Sequence, residues 1–270
     1  MDILLHVAVA ALYAAAAWVC RPGTGNAAAA PRQPTLRAAA IALALAVHAL
    51  VIARTIVLGD ALDLSFVNAL SLVSGLAVLV AWVSGALSIL PGVATMILPV
   101  AALCALLPAL SSTRHPVRYV DEPWAAAHIG VALVAYALLV VAALQALVLT
   151  GIEKRLHRGA PAMEGTETPP LLTLENYLFR LIGAGFVLLT ITLASGIVFS
   201  EQLFGKPVTM NHKNVLSVAG WCAFAVLLAG RWRYGWRGRT ALNWILGGTL
   251  LLVLGYLGSK FVLEVVLHRG

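Results

Sequence analysis

Four of the seven histidines stand where an imidazole is expensive to keep. His6, His48 and His128 lie inside long apolar runs, and His212 sits at the edge of one, in TMNHKNVLSVAGW (209–221). An ionisable side chain in such a run usually faces a bundle interior or a cavity. Neutral imidazole ligates zinc, copper, nickel and iron, haem iron included. Two imidazoles in apolar surroundings with few carboxylates favour haem over a hard cation. No apolar run carries the carboxylate cluster that Mg²⁺ or Ca²⁺ would need. There is no HExxH for a zincin and no GxxxxGK[ST] for a nucleotide. No serine, histidine and lysine arrangement reads as a triad or dyad, so no side-chain catalysis is expected. His115, His157 and His268 fall in polar loops or ends and read as solvated.

Candidate ligands on different segments must be positioned by the elements that carry them. Apolar residues make up 61% of the 270 and charged residues 11%, against roughly 25% charged in a soluble protein. Mean hydropathy is +0.94. This is the composition of an integral membrane protein, and no polar stretch is long enough to fold separately. The expectation is a single all-α membrane domain over 1–270.

A spanning helix needs about 20 mostly apolar residues. Eight segments approach this: 2–20, 36–57, 64–84, 87–110, 125–150, 177–200, 214–231 and 241–266. Only Ser84-Gly85 and Pro91 separate the third from the fourth. The first has no basic n-region and reads as a retained span, not a cleaved signal. The connections 21–35 and 151–175 are expected to be cytoplasmic loops.

Taken alternately, the connections on one side hold 11 of the 18 lysines and arginines. The basic-rich side is expected to be cytoplasmic, which puts both termini on the outer, periplasmic side of a bacterial inner membrane. The net charge of +7 lies between apolar runs and is not a nucleic-acid signature. Cys20, Cys104 and Cys222 form no CxxC or CxxCH, which excludes a thiol redox motif and a c-type haem attachment site.

With this topology the fifth and seventh spans both enter from the outer side. His128 then sits about one turn inside and His212 at the threshold, at similar depth. Neighbouring helices would let both reach one haem. His48 lies past the middle of the second span, either as a deeper site or as a packing histidine bonded to a neighbour. Trp221 and Tyr136 could wall a porphyrin, and Trp124 reads as an interfacial residue. Lys213 either pairs with a haem propionate or snorkels at a helix entrance. Lys260 and Glu264, four apart, are expected to pair. Gly185, Gly248, Gly255 and Ser259 mark places where helices approach closely.

HKNVLSVAGWCAFAVLLAGRWRYGWRGR and LGGTLLLVLGYLGSKFVLEVVL, with AVHAL, AAHIGVALVAYALLVVAALQALVL and TPPLLTLENYLFRL, carry a family resemblance. The chain resembles the cytochrome c assembly superfamily, which includes CcsA, CcmC and HemX, and within it the YpjD-type inner-membrane branch. The resemblant core is 36–267. It implies haem b handled at the outer face and a role in cytochrome c assembly. Apocytochrome c or another maturation subunit would be the partner, alongside membrane lipid. By this resemblance Lys213 falls on the lysine of a WDPKE-like motif and Trp221 on the tryptophan of the next helix. His128 falls on the outer histidine ligand, and His48 resembles a histidine of an early span. His128 and His212 would be the haem-iron ligands. The chain departs from the pattern in two places: 201–212 (EQLFGKPVTMNH) has no tryptophan, and LLAGRW lacks a histidine found there in relatives. The other readings of the residues are a permease-type subunit linked to metal-ion homeostasis and a non-haem membrane scaffold.

Overall fold

The computed structural model describes residues 2–21, 33–58, 61–110, 116–117, 123–158, 170–198, 211–262 and 266. Among the described residues nine helices carry the fold: α1 Asp2–Val19, α2 Gln33–Thr55, α3 Phe66–Val83, α4 Ala86–Ile89, α5 Pro91–Leu110, α6 Pro123–His157, α7 Leu171–Val198, α8 His212–Tyr234 and α9 Gly238–Val253. A π-helical turn, Leu254–Gly258, prolongs α9 into Ser259–Phe261. Their sequences are apolar nearly all round, as lipid-embedded helices must be when they also pack on one another.

Seven helices among the described residues are long and apolar enough to cross a membrane. The first expected span is also helical, but its apolar part, Ile3–Val19, is shorter. α6 is about 52 Å long at 1.5 Å per residue, so it overshoots a hydrocarbon core of about 30 Å. Its last turn accordingly carries Lys154, Arg155 and His157. Helix also extends into both ends of the 151–175 connection, since α6 runs to His157 and α7 starts at Leu171.

The close join between the third and fourth segments has a simple construction. Gly85 takes φ +79°, a left-handed value that residues with a Cβ rarely adopt. Pro91 then opens α5, at the one helical position where its missing N–H costs nothing.

The helices close into two rings of four. α1 packs on α2 and α5, and α3 packs on the same two. In the second ring α6 packs on α7 and α9, and α8 packs on the same two. The rings join where α3 and α5 meet α6. Small residues set the spacing. A Cβ at Gly185 would stand 2.8 Å from Leu139, one at Gly220 would stand 2.7 Å from Leu252, and one at Gly248 would stand 2.9 Å from Phe224. Such contacts let backbones approach without hydrocarbon between them.

An all-helical chain was the expectation, and the fold is a helical bundle with one small addition. β1 Val57–Leu58, β2 Ala61–Asp63 and β3 Pro116–Val117 form an antiparallel sheet in the order β1-β2-β3. Leu62 pairs with Val57 and Val117. The sheet ties the α2–α3 connection to the α5–α6 connection at the end of the bundle where α6 begins. His115, His268, Glu264 and the loop 201–210 lie outside the described residues.

Candidate functional site

His128 stands in the second turn of α6, half-buried against α7. Its Nδ1 is 2.8 Å from the Ser195 hydroxyl oxygen. That hydroxyl donates its single proton to the Thr192 carbonyl, 3.1 Å away. Nδ1 must therefore donate and Ser195 Oγ accept, which leaves the lone pair on Nε2. The partner on one ring nitrogen fixes which nitrogen can ligate. Gly196 makes room for the ring: a Cβ there would lie 3.4 Å from His128 Cε1.

Lys213 is the second residue of α8. Its Nζ lies 5.6 Å from the centroid of Tyr256, in the π-helical turn. Lys260 Nζ lies 6.0 Å from the same centroid, so two ammonium groups flank one phenol ring. Tyr136, two turns below His128, packs on Tyr256 with centroids 5.9 Å apart. Ser217 donates to the Lys213 carbonyl at 2.9 Å. Tyr256, from the α9 extension, thus stands between Tyr136 of α6 and Lys213 of α8.

His212 is the first residue of α8 and is exposed. The preceding Asn211 makes no side-chain cap. The free N–H groups of that first turn add partial positive charge beside Lys213. Consecutive residues point about 100° apart on a helix, so His212 and Lys213 do not share a direction. Lys213 turns to Tyr256, and His212 stays exposed at the rim of α8.

Trp221 lies deeper. Its Nε1–H donates to Thr190 Oγ1 at 2.9 Å, and its ring stacks on Phe186 at 5.5 Å. Thr190 is about 7.5 Å along α7 from Ser195, so Trp221 walls the α7–α8 seam below the His128 level. Trp124 is largely exposed, in keeping with an interfacial residue.

His48 belongs to the other ring. It is almost fully buried, with Nδ1 at 2.9 Å from the Tyr13 hydroxyl and Nε2 at 3.0 Å from the Ser71 hydroxyl. Both nitrogens are engaged, by α1 and α3, which is the arrangement of a packing histidine. A metal would have to displace one of these bonds. His6, nearby on α1, gives its Nδ1 proton to the Ala105 carbonyl at 2.7 Å and staples α1 to α5. Lys260 donates to the Leu64 carbonyl.

Sequence reasoning overlooked Ser195 and Tyr256. The signal for Ser195 was thin: three hydroxyl residues, Thr190, Thr192 and Ser195, in an otherwise apolar span. Tyr256 had none, because a lone tyrosine near a helix end reads as interfacial. Among the described residues no group of three or more His, Cys, Asp or Glu could hold a bare metal ion.

The family model described as Cytochrome C assembly protein matches residues 37–267. Inner membrane protein YpjD of Escherichia coli K12 is 38% identical over 139 residues, 52% of this chain and 52% of that protein. An Azospirillum brasilense 28.8 kDa protein is 35% identical over 144 residues, 53% of each chain. Cytochrome c biogenesis protein CcsA of Thermosynechococcus vestitus is 28% identical over 151 residues, 43% of this chain and 47% of that one. The matches thus span about half the length of these relatives. No solved structure matches.

Proposed function

Since the chain belongs to the cytochrome c assembly protein family, we propose that it is a multi-pass inner-membrane protein that holds haem b at the His128 end of its second ring and assists cytochrome c assembly. The His128–Ser195 bond carries this reading. It leaves Nε2 with a lone pair, and Nε2 has no hydrogen-bond partner among the described residues. His212, exposed at the rim of α8, would be the second haem-iron ligand. Lys213 and the free N–H groups of the first turn of α8 attract the propionates. Trp221 and Phe186 form an apolar wall below. His48 keeps α1, α2 and α3 in register and touches the site only through the fold.

The opposite end of the bundle carries Lys154, Arg155, Arg231, Arg233, Arg237 and Arg239. That excess favours a cytoplasmic placement, and His128 would then lie on the outer face. Bound haem supplies the porphyrin that a CxxCH segment of an apocytochrome takes up covalently. The residues of this chain bind, orient and release it. They perform no bond-making step of their own. Apocytochrome c or another maturation subunit would approach from the outer side.

The test is a visible spectrum of protein purified after haem-supplemented expression. A Soret band that weakens in both His128→Ala and His212→Ala supports the reading. A colourless wild-type protein, with normal c-type cytochromes in a deletion strain, overturns it. Ion uptake by reconstituted vesicles in that case would favour a permease-type subunit, and no uptake a scaffold.

A further inference from the structure

A second polar face lies at the Arg231 end of the bundle, away from the His128 site. Thr173, Asn176, Tyr177 and Arg180 follow the spacing i, i+3, i+4, i+7 and so share one face of α7. The opposite face, Leu174, Leu178, Leu181 and Ile182, is buried in the core. With Ile89 of α4 these four residues line an open cavity of 250 Å³.

Arg180 is exposed and has no ion-pair or hydrogen-bond partner among the described residues. The nearby carboxylate does not neutralise it. Glu175 is held by Arg237 at 3.2 Å and Arg231 at 3.8 Å. Asn176 turns its carbonyl oxygen to Arg231 Nη2, 3.5 Å away, which keeps its amide N–H groups for another acceptor. The Tyr177 hydroxyl donates to the Ser84 carbonyl, so the wall of the cavity is fixed. Thr173 adds a hydroxyl. A guanidinium, an amide and a hydroxyl converging on one cavity are a donor set for a tetrahedral oxyanion.

Depth decides the source of that anion. From Arg180 to Val198, the end of α7, is about 27 Å, close to the hydrocarbon thickness of a bilayer. Arg180 therefore stands at the boundary between headgroups and acyl chains. Soluble anions do not collect at that level, whereas the phosphate of a lipid sits there by construction. Acidic lipids add a full negative charge to match the arginine.

We propose that this cavity seats the phosphate of an acidic phospholipid, gripped by Arg180, Asn176 and Thr173. The seat would lock α7 to the α3–α4–α5 turn, across the junction of the two rings.

Native mass spectrometry of protein released from mixed phosphatidylglycerol and phosphatidylcholine nanodiscs tests this. The wild type is expected to retain one phosphatidylglycerol. Retention should fall about tenfold in Arg180→Gln, the loss of a charge-assisted contact, with Arg180→Lys in between. Arg233→Gln, an exposed arginine outside the cavity, should bind as the wild type does. Any one of four results would overturn the proposal: unchanged retention in Arg180→Gln, equal retention of phosphatidylcholine, an equal loss in Arg233→Gln, or displacement of the lipid by millimolar inorganic phosphate. Arg180 lies on the surface, so its substitution leaves the core intact, and a Soret measurement on the same variants reports the haem site separately.

Discussion

His128 and Ser195 meet across the α6–α7 seam at 2.8 Å, and Thr192 takes the serine proton from the other side. One hydroxyl thereby decides which imidazole nitrogen is left for a ligand. Ser195→Ala removes the acceptor, frees the ring to turn and lets the proton move between nitrogens. Loss of such an outer partner typically weakens a metal–histidine site by about 10- to 100-fold. Haem titrations followed at the Soret band should show a loss in that range for Ser195→Ala and a much smaller one for Ser195→Thr. Identical titration curves for Ser195→Ala and wild type would remove His128 Nε2 from the site.

Lys213 lies over Tyr256, with its Nζ 5.6 Å from the ring centroid. A lysine that grips a propionate should distinguish haem from its dimethyl ester, which has the same ring and iron but no carboxylates. A charge-assisted hydrogen bond contributes about 1.5–3 kcal/mol. Wild type is therefore expected to prefer haem by about tenfold or more, and Lys213→Gln to lose most of that preference. A lysine that merely snorkels would leave the preference unchanged.

Much of this arrangement was legible in the sequence, and the division follows physical lines. Apolar run length gave the spans, because a bilayer sets one length scale for every helix. It gave the α3–α5 join as well, since Gly85 and Pro91 each have few other uses at such a position. His128 and Lys213 stood out because charge and imidazole are costly beside apolar runs. What the sequence could not supply was which helices are neighbours. His48 and His128 look alike in an alanine-rich span, yet one has both nitrogens engaged and the other only one. Ser71, Tyr13 and Ser195, which make that difference, lie on other helices. The three-stranded sheet was missed because its strands are two or three residues long, too short for an alternating pattern to register.

The α8–α9 contact offers a paired test. A Cβ on Gly248 would sit 2.9 Å from the Phe224 ring, whereas one on Gly247 would meet nothing within 4 Å. Overpacking of this kind typically costs about 1–3 kcal/mol. Gly248→Ala should destabilise the protein by that order in detergent unfolding, while Gly247→Ala should be neutral or slightly stabilising. Equal effects would mean that α8 and α9 do not approach as closely as described.

Tyr13 and His48 separate structure from ligand binding. The Tyr13 hydroxyl engages His48 Nδ1, and both side chains are sealed from solvent. Tyr13→Phe keeps the ring and removes only the hydroxyl, leaving a buried nitrogen without its partner. Hydrogen bonds between helices in membranes contribute about 0.6–2 kcal/mol, so stability should fall by that order. The haem spectrum should not change, because His48 lies in the other ring from His128. Gly75→Ala presses on the same imidazole, since the added Cβ would come to 2.9 Å from Cε1 and Nδ1, and should likewise destabilise without moving the Soret band. A spectral shift in either variant would draw His48 into the haem site and assign it a ligand's role.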